Sequence, residues 1–429
     1  MNTHPRTAQR FTASPSVGAP GGTDAAHLAP NGHLVLIGGA LDESPEILTR
    51  IIELAGARRG TRAPRIAILT TASEPATSAE AAQDPTTESD EADGRYYAEL
   101  FERHGAVGVP IPIGASAQPA YPGSPYSRAT ASQADTAELI RGADGVFLGG
   151  GDQTNYVLAL FTSSVAGEPP FGARTDTPAL TAIREVLALG GVVAGTSAGL
   201  AVQQGADMVS GGADIHNAWK HGATPGYDIE REGRDALTHV PAGGLGLFPE
   251  ALLDSHFSEW ARPPRSIRLA RALGRSACVG VDEHTALVYD RATRTSEVIG
   301  MRGVSLLNFD GCEGAGDTII GTRWSYLVPG DSHDFASGTT KRGDMLADLE
   351  LPLAPAAGVD LWADDGSRPL LTLAQSLLAS PELAASGESS VERHPGYRTT
   401  LRRDERTLAL PTGGFSDLII SITPISTTH

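Results

Sequence analysis

Gly195-Thr196-Ser197-Ala198-Gly199 follows the apolar run Val192-Val193-Ala194 and precedes Leu200-Ala201-Val202-Gln203-Gln204. A Gly-x-Ser-x-Gly sequence between a strand and a helix presents its serine on a sharp turn, hydroxyl exposed, above a helix N-terminus. The flanking glycines permit unusual dihedrals and close strand–helix packing. An ordinary strand-to-helix crossover that contains a serine fits the same five residues. A nucleophile also needs a base, and the base needs an orienting acid.

His256 stands out among the downstream histidines. It follows Leu252-Leu253-Asp254-Ser255, so an apolar strand end would deliver it to the same rim. His284 competes as the base. Glu283, at the tip of Val279-Gly280-Val281-Asp282, is the best acid; Asp282 is the adjacent alternative, or caps the turn. The N–H of Ala198 and one from Gly150 or Gly151 would form an oxyanion hole, with Gly151 preferred. His216 and His221 have no third ligand at matching spacing, so they read as surface histidines and no metal is expected. Gly149 to Gly151 lacks the lysine of a phosphate loop, and Gly38-Gly39-Ala40 lacks a dinucleotide fingerprint. No cofactor is expected.

Alternating elements must carry these residues. Short apolar runs at 33–40, the first ending in glycines, 65–72, 107–113 and 145–148, and the run before Ser197, read as buried parallel strands. Helices are expected from Pro45 to Ala55, Tyr96 to His104, Ala134 to Arg141, about Thr154, and Ala179 to Leu189. Ser73 to Gly94 is acidic and reads as a mobile surface loop. The pattern predicts an α/β fold, a mostly parallel sheet sandwiched by helices, with its site beyond the carboxyl ends of the strands. Residues 278–328 read as β-hairpins at the sheet edge. Helices are possible at Asp344–Leu349 and Leu371–Leu378, and Phe415 to Ile422 reads as a docked strand. The expected division is a flexible N-terminal tail (1–30), a catalytic domain (31–335) and a partly ordered C-terminal extension (336–429).

The 429 residues are 40% apolar with a formal net charge of −18. Such a surface repels nucleic acid and anionic membranes, so neither is an expected partner. There is no apolar run of membrane-spanning length. Two cysteines, Cys278 and Cys312, suit a reducing compartment, and a cytoplasmic location is expected.

Gly150-Gly151-Asp152-Gln153, the Ser197 pentapeptide, Gly244-Leu245-Gly246-Leu247, Asp254-Ser255-His256-Phe257 and Gly280-Val281-Asp282-Glu283 occur in this order. Together they resemble cyanophycinases and the related aspartyl dipeptidases (peptidase E) over roughly residues 30–335. The resemblance implies a flavodoxin-like or class I glutamine-amidotransferase-like sandwich and a Ser197–His256–Glu283 triad. It also implies hydrolysis of cyanophycin, a poly-aspartate bearing arginine on each side chain, to β-Asp-Arg dipeptides. Gln153 and Asp254 match pocket positions of that family, and Arg262 and Arg265 match two of its arginines, which would pair with substrate carboxylates. Trp260 stands where a third arginine is expected and Ser255 where glutamine is usual. These departures bear on the substrate, leaving short aspartyl or isoaspartyl peptides as the alternative; a non-catalytic binding protein on the same fold is a further one. The long 208–242 segment and the tail after 340 would lid the pocket or support a dimer, and a homodimer is expected.

Overall fold

The computed structural model describes residues 31–425, except 42–43, 85, 228–235, 344–353 and 357. The 1–30 tail and the Asp344–Leu349 helix therefore lie outside the described residues. Five parallel strands form the centre: β1 (His33–Ile37), β2 (Arg65–Leu69), β3 (Val107–Pro110), β4 (Gly145–Leu148) and β5 (Val192–Thr196), in the order β1-β5-β4-β2-β3. Alternate residues of each strand enter two different cores. Leu34, Leu36, Leu148 and Val193 face one layer of helices, α3 (Ala134–Arg141), α4 (Gln153–Leu160) and α5 (Pro178–Ala188). Val35, Ile37, Phe147 and Ala194 face α1 (Pro45–Arg59) and α2 (Asp90–Arg103) on the other side. Apolar residues on both faces of a strand are what a sheet covered by helices requires.

The acidic stretch before residue 94 departs from the loop expectation. Ser78 caps a short helix, Ala79–Gln83, and Ser89 caps α2. Asp90 and Glu91 are buried, Asp90 accepting the N–H groups of Ala76 and Glu91, and Glu91 accepting the hydroxyls of Ser124 and Tyr121. Local composition signals polarity; it does not reveal that these carboxylates find partners more than ten residues away.

The region after Ser197 extends the first sheet and builds a second. Strand β6 (Leu252–Asp254) leads through helix α6 (Pro263–Leu273) to β7 (Ala277–Val281). Strands β8 (Thr285–Asp290) and β9 (Thr295–Gly300) extend the first sheet antiparallel from β1. Strands β10 (Val304–Asn308) and β11 (Ile319–Leu327) join β7 in a second sheet. Two short strands, β12 (Ser332–Asp334) and β13 (Thr339–Lys341), close the first sheet beside β9. Beyond them, α7 (Pro369–Ala379), β14 (Ala384–Ser389), β15 (Tyr397–Arg402) and β16 (Phe415–Pro424) complete the second sheet, in the order β6-β7-β10-β11-β16-β15-β14. The runs in 278–328 thus divide between two sheets. The segment after 335 is interleaved with residues before it: Trp324 opposes Leu418, and Leu371, Tyr397, Phe415 and Ile420 share a core with Phe257, Ile267 and Cys278. No helix among the described residues is long and apolar enough to cross a membrane.

Candidate active site

Ser197 sits at the end of β5 with φ 53° and ψ −112°, after which Ala198–Ala201 makes one helical turn. This conformation costs a non-glycine residue roughly 1–3 kcal/mol, and the surroundings enforce it. The Ser197 N–H donates to the Ile37 carbonyl, and its own carbonyl accepts from Leu200 and Ala201. Both flanking glycines are needed for space. A Cβ on Gly195 would lie 2.2 Å from the Gly199 carbonyl oxygen, and one on Gly199 would lie 2.1 Å from that of Leu148.

His256 follows β6 in a left-handed conformation (φ 47°), its N–H donating to the Gly38 carbonyl at 2.8 Å. Its Nε2 lies 2.8 Å from Ser197 Oγ and its Nδ1 2.8 Å from Glu283 Oε1. Glu283 accepts only if Nδ1 carries the proton, which leaves Nε2 free to accept from the serine. Burial, assisted by the nearby Arg262 cation, pushes the imidazole pKa down to about 4 against the opposing pull of Glu283. The ring is therefore neutral at neutral pH, the form a general base requires.

His284 contributes backbone at this point, its N–H donating to Gly39 and its carbonyl accepting from Met301. Asp282 turns away from His256. It accepts the Ser258 N–H and the Tyr326 hydroxyl, and burial, with Glu259 nearby, raises its pKa to about 7.

Other positions singled out in the sequence surround this arrangement. Gly150 faces Ser197: a Cβ there would lie 3.5 Å from the serine Cβ. Gly151 (φ 123°) packs against the Ala72 carbonyl, and Asp152 caps α4. Gln153 donates to the Val209 carbonyl. Asp254 is buried and receives both arginines: Arg265 donates through Nη2 and Nε at 2.7 and 2.9 Å, and Arg262 through Nη1 at 3.0 Å. Burial alone would raise the Asp254 pKa, but Arg265 and Arg262 hold it below the usual carboxylate value. Arg265 also donates to the Gly212 carbonyl, tying that residue to the site. Trp260 is 44% exposed and stacks on the His256 ring, with centroids 4.2 Å apart and planes 12° apart. The Arg262 guanidinium lies 4.6 Å from the Trp260 ring centroid.

His216 is buried, not on the surface, with Nε2 at 2.9 Å from the Pro395 carbonyl. Among the described residues no group of three or more His, Cys, Asp or Glu side chains is arranged to hold a metal ion.

Three participants carried no assigned role in the sequence. A Cβ on Gly39 (φ 132°) would lie 2.3 Å from His256 Cε1, so a bare backbone is what admits the imidazole. The doublet Gly38-Gly39 marks a strand end in the sequence, but not what lies over it. Glu259 and Arg302 adjoin Glu283, Glu259 accepting its N–H at 3.1 Å and Arg302 reaching its Oε2 at 3.4 Å. No motif marks either residue.

No family model matches the chain. It is 32% identical over 170 residues to cyanophycinases of Trichormus variabilis and of a Nostoc species, covering 39% of this chain and 46% of each relative. A cyanophycinase from Geminocystis herdmanii is 28% identical over 278 residues, 64% of this chain and 80% of that protein. The chain thus spans about half the length of the first two relatives it matches. Among solved structures, a peptidase from an acI-B1 Actinobacterium aligns with a TM-score of 0.44 at 21% identity, covering 71% of this chain and 97% of the other. A putative peptidase E from Listeria monocytogenes aligns with a TM-score of 0.33 at 14% identity, covering 63% and 98%. On these sequence matches, the chain is similar to cyanophycinases over 39% to 64% of its own length.

Proposed function

We propose that the protein is a serine exopeptidase that cleaves the backbone amides of cyanophycin, or of a related poly-aspartate whose β-carboxyls carry arginine, releasing β-Asp-Arg dipeptides. The observation that carries this reading is His256, 2.8 Å from both Ser197 Oγ and Glu283 Oε1. Ser197 Oγ attacks the scissile carbonyl carbon as His256 Nε2 takes its proton. The N–H groups of Ala198 and Gly151 stabilise the oxyanion. His256 passes the proton to the leaving amine as the C–N bond breaks, leaving an acyl-enzyme. Water, deprotonated by the same imidazole, then attacks the ester and restores Ser197, while Glu283 holds the tautomer and steadies the imidazolium. In this reading the fold is a variant of the flavodoxin-like sandwich in which β1 stands beyond β5, and the enzyme acts as a homodimer in the cytoplasm. Sedimentation tests the dimer.

A second reading keeps the mechanism but takes short aspartyl or isoaspartyl peptides. It is favoured by Arg262 and Arg265, which both donate to Asp254 within the protein, and by Trp260 in place of a third arginine. The deciding experiment incubates wild type and Ser197→Ala with cyanophycin and quantifies β-Asp-Arg. Release by the wild type alone supports the first reading. Cleavage restricted to short isoaspartyl peptides supports the second. Full activity in Ser197→Ala refutes both.

A further inference from the structure

The acid of the triad is held by three segments far apart in sequence. Glu283 offers Oε1 to His256, and its Oε2 lies 3.4 Å from Arg302 Nη1. The same Nη1 lies 2.7 Å from Oε1 of Glu259, whose other oxygen accepts the Glu283 N–H at 3.1 Å. Glu259 is 1% exposed. Its side chain therefore fixes the Glu283 backbone, while Arg302 spans the two carboxylates. The Arg302 N–H donates to Thr285 Oγ1, tying the turn between β9 and β10 to the strand that follows Glu283. From the C-terminal segment, Arg368 Nε approaches Glu259 Oε1 at 3.9 Å and the Gly366 N–H donates to the Glu259 carbonyl.

A carboxylate that orients an imidazole works only if its second oxygen is also held; otherwise it rotates and the base loses its direction. Glu259 cannot do this alone, because two carboxylates side by side repel. Resting on the reading of Ser197 as a nucleophile, we propose that Arg302 is a positioning residue: it bridges Glu259 to Glu283 and fixes Glu283 against His256, with Arg368 of the C-terminal segment sharing the Glu259 charge.

The test uses the full-length protein and a fluorophosphonate, which acylates an activated serine whatever the natural substrate. Arg302→Met, Arg302→Lys, Arg368→Gln and the double variant Glu259→Gln/Arg302→Met are compared with the wild type, with circular dichroism reporting folding. Arg302→Met is expected to label Ser197 roughly tenfold to hundredfold more slowly. Its half-saturating reagent concentration should not change, because the loss lies in orientation and not in binding. Arg302→Lys should recover part of the rate, and Arg368→Gln should show a smaller loss. The double variant leaves no stranded buried carboxylate, yet should stay slow because Glu283 still lacks its cation. Wild-type rates in Arg302→Met, or recovery in the double variant, would overturn the proposal by reducing Arg302 to a counter-ion for Glu259. Should Arg302→Met not fold, the lysine and double variants carry the comparison. A wild type that does not label would instead refute the nucleophile reading, and this inference with it.

Discussion

Replacing Gly39 by alanine tests the site through a residue that takes no part in bond making. The added methyl would lie 2.3 Å from His256 Cε1 and 2.6 Å from Nδ1, whereas ordinary contact begins near 3.4 Å. The ring must therefore give way by roughly 1 Å, a displacement that can cost about 100-fold in rate. That corresponds to about 2.7 kcal/mol of barrier. Movement is constrained, since Trp260 stacks on the imidazole and the His256 N–H is bonded to Gly38. A shift away from the new methyl draws Nε2 or Nδ1 off partners that now sit at 2.8 Å, and a hydrogen bond lengthened by that much is lost. Alanine at φ 132° adds roughly 1–3 kcal/mol of backbone strain, so melting should fall by several degrees while the fold persists. The assay is pre-steady-state labelling of Ser197 by a fluorophosphonate, alongside peptide turnover, on protein whose melting curve remains cooperative. Gly39→Ala within threefold of the wild-type labelling rate would show that the imidazole does not need the bare backbone beneath it, and the reasoning would be wrong.

Three further outcomes follow from the electrostatics of the site. Burial lowers the His256 pKa, so activity should be retained as pH falls past 6.5 and be lost only at lower values, where the imidazole protonates. An acid limb of kcat/KM centred at or above 6.5 would contradict this. The same shift means that the unfolded chain gains a proton below 6.5 that the folded chain refuses, so His256 subtracts stability as pH drops from 6.5 toward 4. Asp254→Asn removes the anion that neutralises Arg262 and Arg265 and leaves two cations in a buried place. It should destabilise the protein by about 3–5 kcal/mol, read as a lowered denaturation midpoint; a variant as stable as the wild type would show that these arginines find water instead.

The elements that carry the site were legible because their signals are local. The apolar runs of β1, β2, β4 and β5 and the glycines closing three of them mark buried parallel strands, and the helix near Leu371–Leu378 is present as α7. The acidic stretch from Ser73 to Gly94 misled because burial of Asp90 and Glu91 depends on residues such as Tyr121 and Ser124, which arrive from another loop. The hairpins between 278 and 328 could be read as pairs, but not as belonging to two sheets. Whether β8 turns toward β1 or toward β10 depends on which partners are already in place.

Residue identity alone determined that a serine on a glycine-flanked turn, a histidine after an apolar strand and a carboxylate after another would stand at strand ends. Chain stiffness and the two-residue period of a strand set that much. Only the tertiary structure decided that the His256 ring lies over Gly39, that the two arginines turn inward to Asp254, and that Glu259, Arg302 and Arg368 meet behind Glu283. Those contacts join residues far apart in the chain, 217 positions between Gly39 and His256 and 109 between Glu259 and Arg368. Their existence depends on how two sheets and the segments between them pack, which no local pattern of residue types encodes.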